Sequence, residues 1–183
     1  MMEDAPHPVS TSDGEPVPGN VTGLLRHFTD LRDRTHGGAV SRGDKEERFA
    51  TEVELLSPLA VQALQELDTH LLLESGTLEE TGLRRSADGG VSAAWELSWP
   101  EQRGAGIAPI GLYAFYGAGF HHPHLRGGTV HDWPLNVFSV QDSRDQLPIL
   151  RAIATADLHN LVFQADFRII PAVTRTAAGP ARS

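Results

Sequence analysis

Four of the chain's nine histidines, His121, His122, His124 and His131, fall between positions 121 and 131. The Gly127-Gly128 pair between them has the chemistry of a two-residue hairpin turn. Such a turn pairs Arg126 with Thr129, Leu125 with Val130 and His124 with His131. Opposed side chains of an antiparallel pair stand about 4.5–5.5 Å apart at Cβ, and diagonal neighbours on one face also meet. His122, His124 and His131 are therefore expected to project together, with Arg126 and Thr129 beside them. Three imidazoles on one face can hold a divalent metal and leave a position open for water or substrate. Zn²⁺ there would bring the pKa of a bound water toward about 7, and Fe²⁺ would suit oxygen chemistry. Without a metal, the same histidines suit acid–base work near neutral pH. A surface or structural role for the segment is the plain alternative.

Other residues extend this reading. Arg126 is expected to orient an anionic group. Trp95, Tyr113, Tyr116 and Trp133 can line a small-molecule pocket, although aromatic residues of an antiparallel sheet serve core packing equally well. Asp157 and His159 read as a solvated helix edge, unless that helix end faces the histidine segment. His70 reads as a boundary residue of its helix. The tripeptide His122-Pro123-His124 resembles the His-Pro-Asn of ubiquitin-conjugating folds, which implies a catalytic cysteine shortly after it. This chain has no cysteine. The pair His122-x-His124 is similar to the cupin pattern, but no glutamate follows at 125–131.

Composition narrows the field. Without cysteine there is no thiolate ligand, disulfide or cysteine nucleophile, so imidazole and carboxylate are the available metal ligands. A formal charge of −9 argues against nucleic acid as a partner. The apolar runs are only a few residues long, which argues against a membrane span. No P-loop, Gly-x-Gly-x-x-Gly opening a helix, Gly-x-Ser-x-Gly elbow or His-Glu-x-x-His occurs, so no nucleotide cofactor is expected. Lys45 is the single lysine against fourteen arginines, a bias that suggests a GC-rich bacterial source. The start of the chain lacks the pattern of a secretory signal, which suggests the cytoplasm.

The elements that must position these residues follow from periodicity. Residues 1–20 are acidic and Pro-rich and read as a disordered tail, and 171–183 read as a second tail. The single domain, 21–170, opens with a short helix, 21–34, that carries Leu24, Leu25, Phe28 and Leu31 at helical spacing. Residues 48–56 alternate and read as a strand. Ser57-Pro58 then starts a helix running to about Leu73. Strands are expected at 78–85, 91–99, 107–116 and 135–140. A helix capped by Asp145 spans 146–160, and a last strand spans 162–170. Runs of strands without intervening helices imply antiparallel pairing. The expected fold is α+β: a mostly antiparallel curved sheet of about five to six strands, with two or three helices packed on one face. The expected function is a small-molecule enzyme using the His122/His124/His131 cluster as metal ligands or acid–base groups. The alternative is a non-catalytic accessory protein that presents the histidine segment to a protein partner, and a homo-oligomer is compatible with either reading.

Overall fold

The computed structural model describes residues 16–176. Expectations for 1–15 and 177–183 lie outside these residues. The order is α1 (Gly19–Asp33), α2 (Arg42–Leu67, continued by a π turn Asp68–Leu72), β1 (Thr77–Glu80), β2 (Arg84–Arg85), β3 (Val91–Ser98), α3 (Pro100–Gly104), β4 (Ile110–Tyr116), β5 (His124–Gly127), β6 (Trp133–Pro134), α4 (Val140–Gln164), a 3₁₀ turn (Phe167–Ile169) and α5 (Pro171–Thr176). The six strands form one open antiparallel sheet in the order β1-β3-β4-β5-β6, with β2 also paired to β3. This is the expected α+β architecture. Among the described residues no helix is long and apolar enough to cross a membrane.

Period two sets the sheet's two faces. Val91, Ala93, Trp95 and Leu97 of β3, with Ile110, Leu112, Ala114 and Tyr116 of β4, point into the core. Helices α2 and α4 close that core with Phe49, Val53, Leu56, Ala60 and Leu64 from one, and Leu150, Ile153, Ala154, Leu158 and Leu161 from the other. The outer face carries Glu96, Tyr113, Phe115, His124 and Arg126, all half-buried or exposed.

Three expected strands are corrected, and with them two helix starts and one tail. Residues 48–56 are helix, not strand, because α2 runs unbroken from an N-cap at Ser41, whose Oγ accepts from Asp44 N at 3.1 Å. Lys45, Phe49, Glu52, Val53, Leu56, Ala60, Ala63 and Leu64 are its buried positions, which follow the three- and four-residue spacing of one helix face. Pro58 sits exposed inside this helix rather than starting it. The expected strand 135–140 is reduced to the two residues of β6 before it, and Val140 already begins α4. Ser139, not Asp145, caps α4: its Oγ accepts from Asp142 N at 3.0 Å, while Asp142 Oδ2 accepts from Phe138 N at 3.0 Å. Asp142 thus reaches back past the cap to the N–H of the residue before it, so both flanks of the helix start are tied down. The expected last strand, 162–170, is the end of α4 followed by the 3₁₀ turn. Its supposed inward face carries Phe163 at 87% exposure. Pro171–Thr176, expected to begin a tail, are helical.

Candidate metal centre

Helix α1 is turned opposite to its apolar pattern. Its buried residues are His27 and Asp30, one turn apart on one face. Leu25 (58% exposed), Phe28 and Leu31 point outward. A tight turn follows: His36 and Ala39 exchange both backbone hydrogen bonds at 2.9 Å across Gly37-Gly38. Both glycines have positive φ, 54° and 82°, as a two-residue primed turn requires. A Cβ on Gly37 would come within 2.5 Å of the Phe138 ring. Glycine there lets the turn settle against Phe138 and carries His36 into full burial.

His122, 2% exposed, arrives from the segment before β5. Ligand atoms from Asp30, His36 and His122 lie within 4.8 Å of one another, and all three residues are buried. The ring centroids of His27 and His122 are 4.9 Å apart, and those of His36 and His122 are 5.6 Å apart, both edge to face. His124 adjoins the group with its centroid 6.0 Å from that of His27, and stacks on Phe115 of the outer face at 5.8 Å. Asp30 is held in place, its Oδ1 accepting from Thr35 Oγ1 at 2.8 Å and its Oδ2 from Gly37 N at 3.2 Å. Glu52, buried on α2, brings Oε1 to 2.8 Å from His36 Nε2, but not in line for a hydrogen bond. The same oxygen accepts from Val137 N at 3.4 Å.

Burial shapes the charge of this group. It lowers the His36 pKa to about 3, with repulsion from His122 adding to the effect. It lowers His122 to about 4, with His27 adding to it, and lowers His27, helped by His124. Burial also pushes Glu52 well above the usual carboxylate range, against the Val137 N–H. The imidazoles are thus neutral near pH 7, the form that offers a lone pair to a metal. Both ring nitrogens of His122 and His36, and Nδ1 of His27 and His124, are buried without a hydrogen-bond partner among the described residues. Unpaired buried polar atoms are costly and uncommon. So many in one place fit a ligand set for a cation.

The residues singled out in the sequence fall in different places. His122 and His124 lie in or beside this group, whereas His131 is exposed. The hairpin register differs from the expected one: His124 faces Pro134, three residues beyond His131, and Leu125 faces Trp133, three beyond Val130. The loop is longer because helix α4 grips it. Asp157, 1% exposed rather than a solvated edge, accepts from Thr129 N (2.7 Å), Thr129 Oγ1 (2.6 Å) and Gly111 N (3.1 Å). Asn160 adds a bond to Thr129 Oγ1 at 2.9 Å. Arg126 is on the outer sheet face, 5.2 Å from the Phe115 ring centroid and 5.8 Å from that of Tyr113. Tyr113 donates to Glu96 Oε1 at 2.7 Å. Trp95 is in the core with its Nε1 donating to Ser57 Oγ at 3.0 Å. Tyr116 is buried under the Arg42 guanidinium, and Trp133 is half-buried on the edge strand. His70 and His159 are exposed.

A cavity of about 320 Å³ lined by Leu31, Arg34, His121 and His122 opens onto the group. A larger one, about 460 Å³ at Gly38, Ala39, Asp44, Glu47, Arg48 and Thr51, is lined by mostly exposed residues and no histidine. Sequence reasoning missed His27, Asp30, His36 and Glu52. The one local signal was polar: His27 and Asp30 share a helix face three residues apart, and His36 precedes a Gly-Gly turn.

Fold and site together define an α+β protein with an open antiparallel sheet and a buried His/Asp group able to hold a metal. No protein-family model, curated protein or solved structure matches the chain.

Proposed function

We propose that the protein is a metal-dependent enzyme acting on a small molecule, with Asp30, His36 and His122 as ligands of a divalent Zn or Fe ion. The observation that carries this reading is the buried triad itself, whose ligand atoms lie within 4.8 Å while the nitrogens of both histidines lack partners. Two imidazoles and one carboxylate leave coordination positions open, the arrangement of catalytic rather than structural sites. The metal would supply Lewis acidity or oxygen chemistry. Thr35 and the Gly37 N–H would orient Asp30, and Glu52 would stand behind His36, as supporting partners of metal ligands do. The cavity at His122 gives a substrate its approach.

Metal analysis of the purified protein tests this. One Zn or Fe per chain is expected, lost in His122→Leu and in Asp30→Ala. Because His122→Leu removes two unpaired buried nitrogens, the metal-free variant is expected to be as stable as the metal-free parent or more so. Metal-free parent protein with no affinity for either ion sinks the reading.

A second reading, an accessory protein with a protein partner, is favoured by one observation: Val21, Leu25, Phe28 and Leu31 leave an apolar stripe of α1 exposed. Absence of any metal, with self-association or partner capture abolished by Phe28→Glu, is its signature.

A further inference from the structure

The cavity on His122 has one cationic wall. Arg34 ends α1 in the left-handed conformation, φ 58° and ψ 32°, which glycine adopts without penalty and other residues seldom take. Its carbonyl accepts from Lys45 Nζ at 3.0 Å. Lys45, the chain's single lysine, is 6% exposed, so a buried ammonium pins the backbone that aims Arg34. The carboxylates nearest in sequence are taken: Asp33 binds Arg32 through both oxygens, at 2.7 and 2.9 Å, and Asp30 is held by Thr35 and Gly37. Among the described residues no hydrogen bond or ion pair engages the Arg34 guanidinium, which is left to meet an outside anion. Leu31, three residues earlier at the end of the same helix, adds an apolar part to the lining.

We infer that this cavity binds a small monocarboxylate with a short apolar tail, its carboxylate on Arg34, its tail on Leu31, and its reacting end directed toward His122. The inference rests on the proposed metal-dependent function and adds the class of substrate. A guanidinium fork pairs with a carboxylate through two parallel hydrogen bonds, which gives orientation as well as affinity. Lys45 is a positioning residue, acting through the Arg34 backbone.

Calorimetric titration of butyrate into the protein as purified tests the site, with butanamide and butylamine as uncharged and cationic controls. Butyrate is expected to bind and both controls to fail. Arg34→Gly is expected to weaken butyrate by about tenfold or more, the usual size of a lost charge-assisted hydrogen bond. Its fold and its metal content should be unchanged, because glycine suits the left-handed position. Arg126→Ala, on the outer sheet face, should bind butyrate as the parent does. Butyrate binding that is absent in the parent, unchanged in Arg34→Gly, or lost in Arg126→Ala overturns the inference. The two readings fail separately. Metal-free protein whose butyrate affinity still falls in Arg34→Gly sinks the metal centre and leaves the anion site. Metal-bearing protein with Arg34→Gly equal to the parent does the reverse.

Discussion

Asp157 sits 1% exposed with three donors converging on it, two of them backbone amides from different parts of the chain. It joins α4 to the start of β4 and to the loop between β5 and β6. Gly128 packs against it closely enough that a Cβ there would stand 3.3 Å from Oδ2. Asp157→Asn keeps the volume but turns one acceptor into a donor that faces donors. The expected cost is about 3 kcal/mol, the upper range for leaving buried donors unsatisfied, read as a lower urea midpoint at unchanged slope. A loss under about 0.5 kcal/mol, the range of ordinary surface changes, contradicts this account. Because the loop carries Thr129 and not the candidate ligands, metal content is expected to survive. Asp30 is the opposite case: its Thr35 and Gly37 partners hold it toward His36 and His122, and its substitution is expected to cost metal before it costs fold.

Among the elements, the turn at His36–Ala39 has a cost written into its two glycines. Both need positive φ, but their surroundings differ. At Gly37 a Cβ would overlap the Phe138 ring, with three ring atoms inside 3.0 Å; at Gly38 nothing lies within 4 Å. Gly38→Ala therefore adds only backbone strain, about 1 kcal/mol. Gly37→Ala adds that strain and a clash, roughly 2–4 kcal/mol in all, and displaces His36 from His122. Thermal melts with metal analysis check the ordering: Gly37→Ala should be less stable and should bind metal more weakly, whereas Gly38→Ala should keep its metal. Equal effects of the two would refute the packing argument. Helix α1 makes a related point. Its apolar residues were legible as a helical stripe, and the helix is present within two residues of the expected bounds. The stripe's direction was not legible, because periodicity marks two faces and does not say which one meets the protein. In this fold α1 packs by His27 and Asp30.

At the scale of the molecule, one ion-pair network ties distant parts together. Glu46 on α2 binds Arg85 on β2 and Arg42 on its own helix. Arg42 in turn donates to the carbonyls of Tyr116 (3.2 Å) at the end of β4 and of Gly117 (3.0 Å) and Phe120 (3.2 Å) after it, and lies 3.6 Å over the Tyr116 ring. These partners, Arg85 first and then Arg42, hold the Glu46 pKa down to about 2. A carboxylate depressed on folding stabilises the fold fully above its ordinary pKa, near 4.5, and loses that contribution as pH falls toward about 2. The parent is therefore expected to be more stable than Glu46→Gln at pH 7, by a modest amount because the pair is solvent-screened. The gap should close between pH 5 and pH 2, followed by denaturant titration at each pH. A gap that persists at pH 2 or widens there overturns the assignment.

Much of the architecture was readable without coordinates. The strands expected in succession at 78–85, 91–99 and 107–116 led to an antiparallel α+β fold, because such signals are local and repeat with the period of the backbone; the short helix α3 between β3 and β4 was not expected and leaves their pairing antiparallel. Residues 48–56 and 162–170 misled for the same reason. An alternation four positions long is also a fragment of a helical pattern, and only the partner surface decides which period is buried. The histidine segment was found, but its register came from the Gly-Gly pair alone, and the grip of Asp157 on Thr129, 28 residues away in sequence, reset it. Hence the sequence by itself determined the class of fold, the imidazole and carboxylate character of any metal ligands, and the neighbourhood of His122 and His124. Tertiary structure decided which groups join His122: Asp30 from α1 and His36 from the turn, with Glu52 from α2 behind His36. Their meeting depends on how three elements pack, and no spacing along the chain records a packing angle.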